Sequence, residues 1–499
     1  MRILTSSILA IGTLLFTLDA SAQEPPKPEG ETPLQAGWHG GVFYMRDADD
    51  NFRLYFQGRA QIDAFNYFGP GVADTSLKST MFLRRVRPEF TGEFMQGNWQ
   101  WMLAGDFGMG NPGTDNPKGK SAGGAQTSRV TGVPTDVFIN WHPAGIFNLQ
   151  LGQFDVPFTM ENRTSDKYIQ FMERSLAVRA LGVPTNKDIG AMAWGETANK
   201  LAFYSLGIFN GEGQNRPNVD NRADLYGRVF FHPLAVTGGD LKDLQIGASF
   251  HYGMRDSSYL NYDYPGMTTQ GNFSFWSSTY TGTKGITHVI PSGKQLAVAG
   301  ELRIPIGPLF DFTGEAVYLD NRTREAIDTF QSTNSERFGG LKGYAYYAQL
   351  GFWPLGGRDI NGAPGYENPT HVDFKKKNAE IKTALQLLVK WEQLNVDYES
   401  ASHGGTADAN NIDGKIKVNA FSVGANYWMT KHLRLSVNYV YDMFPGSAPT
   451  KPSDPTIAPQ SGDQRAIAPA QGLGKGINDS ARDTAHGLHE VLFRVAVAL

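Results

Sequence analysis

Residues 53–64, RLYFQGRAQIDA, alternate without a break: Leu54, Phe56, Gly58, Ala60, Ile62 and Ala64 share one face, and Arg53, Tyr55, Gln57, Arg59, Gln61 and Asp63 share the other. A period of two is strand patterning, because successive side chains of a strand point to opposite sides. One face suits lipid, while the other carries charges of both signs that a packed core would not accept unpaired. The run is also about as long as a tilted strand needs to cross a bilayer. A half-buried soluble strand alternates in the same way, so the argument turns on repetition and on the two ends of the chain.

The pattern recurs in SVGANYW at 422–428, in LRLSVNYVY at 433–441 and in VLFRVAVAL at 491–499. In the last of these Val491, Phe493, Val495, Val497 and Leu499 share a face, and Arg494 points the other way. The chain is expected to stop on a strand with an apolar final residue, as outer-membrane barrels do, with Leu499 in place of the commoner aromatic. At the other end, Arg2 precedes an apolar run from Ile8 to Leu18, and Ala20-Ser21-Ala22 gives a small-x-small cleavage pattern. Residues 1–22 are therefore expected to be a secretory signal peptide, the run being shorter than the roughly 20 apolar residues of a spanning helix. No later stretch reaches that length, so an exported chain of this kind is periplasmic, secreted or a barrel.

Composition favours the barrel. The chain has 57 Gly, 31 Phe, 20 Tyr and 9 Trp, which fits a closed sheet of half-apolar strands with aromatic girdles. It has no Cys, which removes disulfides, thiolate metal sites and thiol catalysis together. The net charge of -4 gives no reason to expect nucleic acid as a partner. The 499 residues suit one barrel of about 16 to 18 strands.

Candidate membrane strands fall at 52–65, 80–94, 98–107, 135–142, 146–153, 188–196, 199–208, 222–232, 243–253, 295–304, 310–319, 342–353, 382–398, 416–428, 432–442 and 488–499. The even count is what a single-chain bacterial barrel requires. The expected organisation is a signal peptide at 1–22, a lead at 23–51 and an all-β, antiparallel transmembrane barrel of sixteen strands at 52–499. Within the lead, 23–36 is rich in Pro and Glu, and GVFYMR at 41–46 is expected as a short strand outside the wall. Tight turns at 96–98, 144–145, 307–308 and 430–431 are assigned to the periplasmic end. The long connections at 108–133, 154–187, 254–294, 354–381, 399–415 and 443–487 are assigned to the outside or the lumen.

The segment 152–179 differs from the other connections. It mixes aromatics with Glu161, Arg163, Asp166, Lys167, Glu173, Arg174 and Arg179, and the spacing predicts a short helix over 168–177 with Tyr168, Phe171, Met172 and Leu176 on one side. A structured loop of mixed charge directly after a strand is how a wide barrel narrows its bore.

GQFDVPFTMENRTSDKYIQFMERS at 152–175 resembles the strand-to-constriction-loop signature of the phosphate-selective porins O and P nearly residue for residue. FLRRVRPEFTGEF at 82–94, YSLGIFNGEG at 204–213, GRVFFHPL at 227–234 and FSVGANYWMTKHLRLSVNYV at 421–440 extend the resemblance over most of the chain. The resemblance implies a homotrimer of 16-stranded outer-membrane barrels. Each has its own water-filled pore for small hydrophilic solutes and anions such as phosphate, narrowed by an inward third loop and lined by a ladder of Arg and Lys.

Alternation supplies partial support for the ladder. With Phe82, Val86, Pro88, Phe90, Gly92 and Phe94 taken as the lipid face, Arg85 and Arg87 point inward and Arg84 outward. Arg53, Arg59, Arg228 and Arg494 are inward on the same reasoning. Spaced guanidinium groups can hand an oxyanion along a bore, or they can pair with Glu89, Glu93, Asp63 and Asp106 and brace the wall. In the loop, Asp155, Glu161, Asp166, Glu173 and Asp188 nearly balance Arg163, Lys167, Arg174, Arg179 and Lys187, so no dedicated phosphate site is assigned.

Other motifs carry little. His486 to Glu490 lacks helical spacing and a third metal ligand, and GLGKG at 472–476 lacks the strand and helix of a phosphate-cradling loop. No cofactor is implied. A barrel hydrolase would need Ser, His and a carboxylate clustered on a wall, and there is no G-x-S-x-G. A soluble sandwich would leave few charges inside. The expectation is a non-enzymatic pore in the outer membrane of a Gram-negative cell, in contact with its lipids.

Overall fold

The computed structural model describes residues 34–444 and 487–498, apart from 40–41, 70–78, 109–131, 183–185, 238, 240, 257–261, 277, 283–284, 328–336, 357, 361–366, 370–382, 404–411 and 431. The expected signal peptide and the expected loop 443–487, save Met443, Phe444 and Gly487, lie outside the described residues.

A hairpin of β1 (Gln35–His39) and β2 (Val42–Arg46) comes first. The wall then runs β3 (Phe52–Phe68), β4 (Thr80–Phe94), β5 (Trp99–Asp106), β6 (Val133–Ala144), β7 (Phe147–Asp155), β8 (Lys187–Glu196), β9 (Ala202–Phe209), β10 (Asp224–Phe231) and β11 (Gln245–Arg255). Four short strands follow: β12 (Met267–Thr268), β13 (Ser274–Trp276), β14 (Thr279–Gly282) and β15 (Gly285–Pro291). The wall resumes with β16 (Gly293–Ile306), β17 (Phe310–Ile327) and β18 (Arg337–Leu355). After a short pair, β19 (Arg358–Ile360) and β20 (Glu367–Pro369), it ends with β21 (Ala384–His403), β22 (Ile412–Thr430), β23 (Leu433–Met443) and β24 (Gly487–Ala498).

Each wall strand pairs antiparallel with the next, and β24 pairs back onto β3, from His489 opposite Phe68 to Ala498 opposite Arg59. The sheet therefore closes as a 16-stranded barrel, and closure removes the unpaired edges that lipid would not tolerate. Each of the sixteen candidate segments coincides with a wall strand. The hairpin continues the wall at the turn end, where Phe43 of β2 lies opposite Phe56 of β3.

The outer face is apolar along its length, with Phe56, Ile62, Phe90, Leu350, Val389, Leu435, Val495 and Val497 all exposed. That belt is affordable only in lipid. On the other face of the same strands Gln61, Asp63, Arg85 and Arg494 are buried. Two features of the inner face depart from simple alternation.

The first is a bulge in β4. Gln61 lies opposite Arg85 but Ile62 opposite Leu83, so Arg84 is an extra residue with no partner on β3. Two residues against one turns successive side chains toward one side, and Arg84 faces the lumen beside Arg85. The expected outward placement of Arg84 is thereby corrected. The bulge also reverses the strand beyond it: Leu83 and Met81 are exposed outside, while Phe82 is buried inside against Phe65, ring centroids 5.0 Å apart.

The second is a change of polarity along the bore. On β17 the inward residues from the turn end are Asp311, Thr313, Glu315, Val317 and Leu319, and on β21 they are Gln386, Leu388, Lys390, Glu392, Leu394, Val396 and Tyr398. The loop half of this wall is apolar because segments from two loops, including Leu176, Leu181, Phe273 and Trp276, pack on it.

Candidate functional site

The strand β7 ends where Val156-Pro157 removes a backbone donor. The chain then turns inward through Thr159, whose φ of 61° is rare for a β-branched residue. Its hydroxyl accepts from the Asn162 amide at 3.2 Å and starts α1 (Met160–Arg163). Ser175 caps α2 (Leu176–Leu181) in the same way. The helix predicted over 168–177 is not formed. Residues 166–175 are turns and bends, because their side chains are held by the wall instead of by each other.

Wall arginines hold the loop's carboxylates. Arg59 lies 2.9 Å from Glu89 and 3.0 Å from Asp166. Arg85 Nε stands 2.6 Å from Asp166 Oδ2 in an ion contact too bent for a hydrogen bond, while its Nη1 donates to Gln61 Oε1 at 2.8 Å. Arg87 donates to Asp106 at 2.6 Å and reaches Asp166 at 3.2 Å. Arg84 forks onto Glu173 at 2.9 and 3.0 Å, and Arg494 reaches the same carboxylate at 2.8 Å. Lys167 donates to Glu89 at 2.9 Å.

These contacts set the loop's electrostatics. Burial pushes the Asp166 carboxyl up, but Arg59, Arg87 and Arg85 more than reverse this and hold it well below the usual carboxylate range. Glu173 behaves likewise beside Arg84, Arg85 and Arg494. Lys167 is pushed down by burial.

The opposite wall holds the loop with the reverse polarity. Glu315 of β17 accepts from the Met160 and Glu161 amides at 2.6 and 2.9 Å, and Glu392 of β21 accepts from the Leu176 amide at 2.5 Å. Both carboxylates sit at helix N-termini, where unpaired amides favour negative charge. The remaining candidates fold the loop onto itself. Glu161 accepts from the Ser175 amide at 2.7 Å, and burial pushes its carboxyl up. Arg174 donates to the Glu161 and Thr164 carbonyls at 3.2 and 3.1 Å, Arg163 donates to the Asp155 carbonyl, and Arg179 donates to the carbonyls of Arg174, Thr268 and Thr269.

A second loop also enters the lumen. Residues 262–276 leave the ninth wall strand, β11, and reach the sixteenth, β24, on the far side. There Glu490 accepts from the Thr269 hydroxyl at 2.5 Å and the Gly271 amide at 2.6 Å, and Tyr67 donates to the Gly271 carbonyl. Gln270 donates to Glu392 at 3.0 Å. His489, next to Glu490, faces the other side of the strand against Tyr439.

Arg59, Arg85, Arg87 and Arg494 thus meet at one site, whereas Arg228 and Arg53 lie elsewhere. Arg228 forks onto Glu301 at 2.7 and 2.8 Å. Arg53, at the turn-end rim, bonds Asp50 at 2.7 Å. The alternation of LRLSVNYVY also puts Arg434 inward, although it is not among the ladder arginines expected from the sequence. Its Nη1 donates to the Ile169 carbonyl at 3.0 Å and it lies over Trp428, with no carboxylate in ion-pair range among the described residues. Glu315, Glu392 and Glu490 were legible in the same way but gave no hint of their role, which depends on the loops.

A closed sixteen-stranded barrel with an apolar outer belt and loops folded into a charged lumen defines an outer-membrane porin. The family model described as Phosphate-selective porin O and P matches residues 54–443. The chain belongs to that family. It is 23% identical over 412 residues to Porin O of Pseudomonas aeruginosa, covering 80% of this chain and 85% of that protein. Solved structures similar to it include the outer membrane channel DcaP of Acinetobacter baumannii, with TM-score 0.46 and 9% identity over 91% of this chain and 99% of that one. Another is an anion-selective porin from Comamonas acidovorans, with TM-score 0.44 and 9% identity over 90% of this chain and 100% of that one.

Proposed function

We propose that this porin is a passive diffusion channel for small hydrophilic solutes, among them anions such as phosphate, and that it works as a homotrimer after removal of residues 1–22. The observation that carries the reading is a local cation excess where the clamped loop meets β3, β4, β23 and β24, opposite the carboxylates of β17 and β21. Arg59, Arg84, Arg85, Arg87, Arg494, Lys167 and Arg434 stand against Asp63, Glu89, Asp106, Asp166 and Glu173. A modest excess of fixed positive charge in a confined bore raises the local anion concentration. Family membership supports the same reading.

The pairing sets its limit. Each ladder arginine named from the sequence has a carboxylate partner, which favours a mild general preference for anions over a tight oxyanion site. Planar-bilayer recording of the purified protein tests this. Mild anion selectivity from the reversal potential in a potassium chloride gradient, without block by millimolar phosphate, is the expected result, and cation selectivity overturns it. Chemical cross-linking in outer membranes tests the trimer, and N-terminal sequencing of the mature protein tests cleavage before Gln23.

A further inference from the structure

We propose that a recess at the loop end of the lumen, between Glu212, Arg255 and the ring of Tyr262, is a binding site for neutral, hydroxyl-rich solutes such as saccharides. The proposal deepens the diffusion-channel reading by naming a solute class.

Glu212 and Arg255 each expose 4% of their side chains, and Arg255 Nε lies 3.9 Å from Glu212 Oε1, too far for a hydrogen bond. The other nitrogens of Arg255 are used, on Asp224 at 2.5 and 2.8 Å and on the Gly211 carbonyl. Among the described residues, its Nε and Glu212 Oε1 have no hydrogen-bond partner. A buried donor or acceptor left unmade costs about 1–3 kcal/mol, so such a pair needs an occupant.

The occupant must accept from Nε and donate to Oε1 at once. A hydroxyl does both. An anion is opposed by the Glu212 carboxylate, and a cation by Arg255 and by Arg216, whose guanidinium lies 4.2 Å from the Tyr262 ring centroid. Burial pushes the Glu212 carboxyl up to about 7, consistent with a place that disfavours net charge. The rest of the lining combines apolar Phe158, Leu181 and Leu319 with polar His251, Gln295 and Asn321. An apolar wall beside a few convergent polar groups is the usual make-up of a small-molecule site, and it suits a ring with C–H faces and hydroxyl edges.

The test uses sucrose and inorganic phosphate as probes on the purified full-length protein. In bilayers, sucrose should lower the wild-type conductance along a saturating curve. Glu212→Ala and Tyr262→Ala should each raise the half-saturation concentration about tenfold or more, each curve being normalised to that variant's own sucrose-free conductance. Heat-modifiable migration confirms that each variant has folded. Calorimetric titration of sucrose into the detergent-solubilised protein reads the recess without relying on conduction, so a closed channel sinks the diffusion reading and absent binding sinks this one. A linear fall of conductance, alike in all three proteins, would mean that a water fills the gap and overturns the proposal. Saturation by phosphate but not by sucrose overturns it too.

Discussion

Arg494 and Asp63 lie directly opposite each other where the last strand of the barrel meets the first, and they bond through two parallel contacts of 2.7 Å with both side chains fully buried. The same guanidinium donates to Glu173 at 2.8 Å and to the Met172 carbonyl. One side chain therefore joins closure of the barrel to the seating of the constriction loop.

Removing one partner of a buried pair leaves an uncompensated charge, which costs about 3–5 kcal/mol. Arg494→Met should lower stability by that amount, read from the urea midpoint of the heat-modifiable form in lipid vesicles. Adding Asp63→Leu should recover a large part of it. Equal losses in the single and double variants would show that the two residues are not coupled.

The loop carboxylates should set selectivity. Asp166→Asn with Glu173→Gln removes two negative charges from the cluster of Arg59, Arg84, Arg85 and Arg87 and should move the reversal potential toward anions. Arg85→Gln with Arg87→Gln should move it toward cations. Both shifts should be larger at roughly 0.1 M salt than at 1 M, where the Debye length falls from about 10 to 3 Å. Unchanged potentials would place the cluster away from the ion path.

Deleting residues 166–173 takes the clamped turn out of the lumen. Single-channel conductance should rise in the correctly assembled variant. An unchanged conductance would mean that the turn does not narrow the path.

The clamp should survive mild acid. Asp166 and Glu173 are held well below the ordinary carboxylate range of about 4, so their stabilising contribution is full above that range and is lost only as pH falls through the depressed folded values. The conductance difference between the wild type and the Asp166→Asn, Glu173→Gln variant should stay level from about pH 8 to pH 5. A collapse of that difference near pH 6 would contradict the assignment of arginines to these carboxylates.

The bulge at Arg84 reverses the neighbouring faces. A tryptophan in place of Leu83 should be quenched by brominated lipid, and one in place of Phe82 should not. Strict alternation demands the opposite.

The strand positions, their lipid faces and the meeting of the two ends were legible in the sequence, because a period of two is a local property that lipid on one side enforces along every strand. The inward direction of Arg59, Arg85, Arg87 and Arg494 followed from it. What those arginines touch did not. Asp63 and Arg494 are 431 positions apart, and Arg85 faces Asp166 only because a loop of balanced charge folds back between walls of opposite polarity. The bulge exists only relative to β3, and the apolar inner wall at Val317, Leu319, Leu394 and Val396 makes sense only once two loops cover it. Local alternation fixes which way a side chain points, whereas the partner that satisfies a buried charge is supplied by whichever distant segment closure brings within about 3 Å.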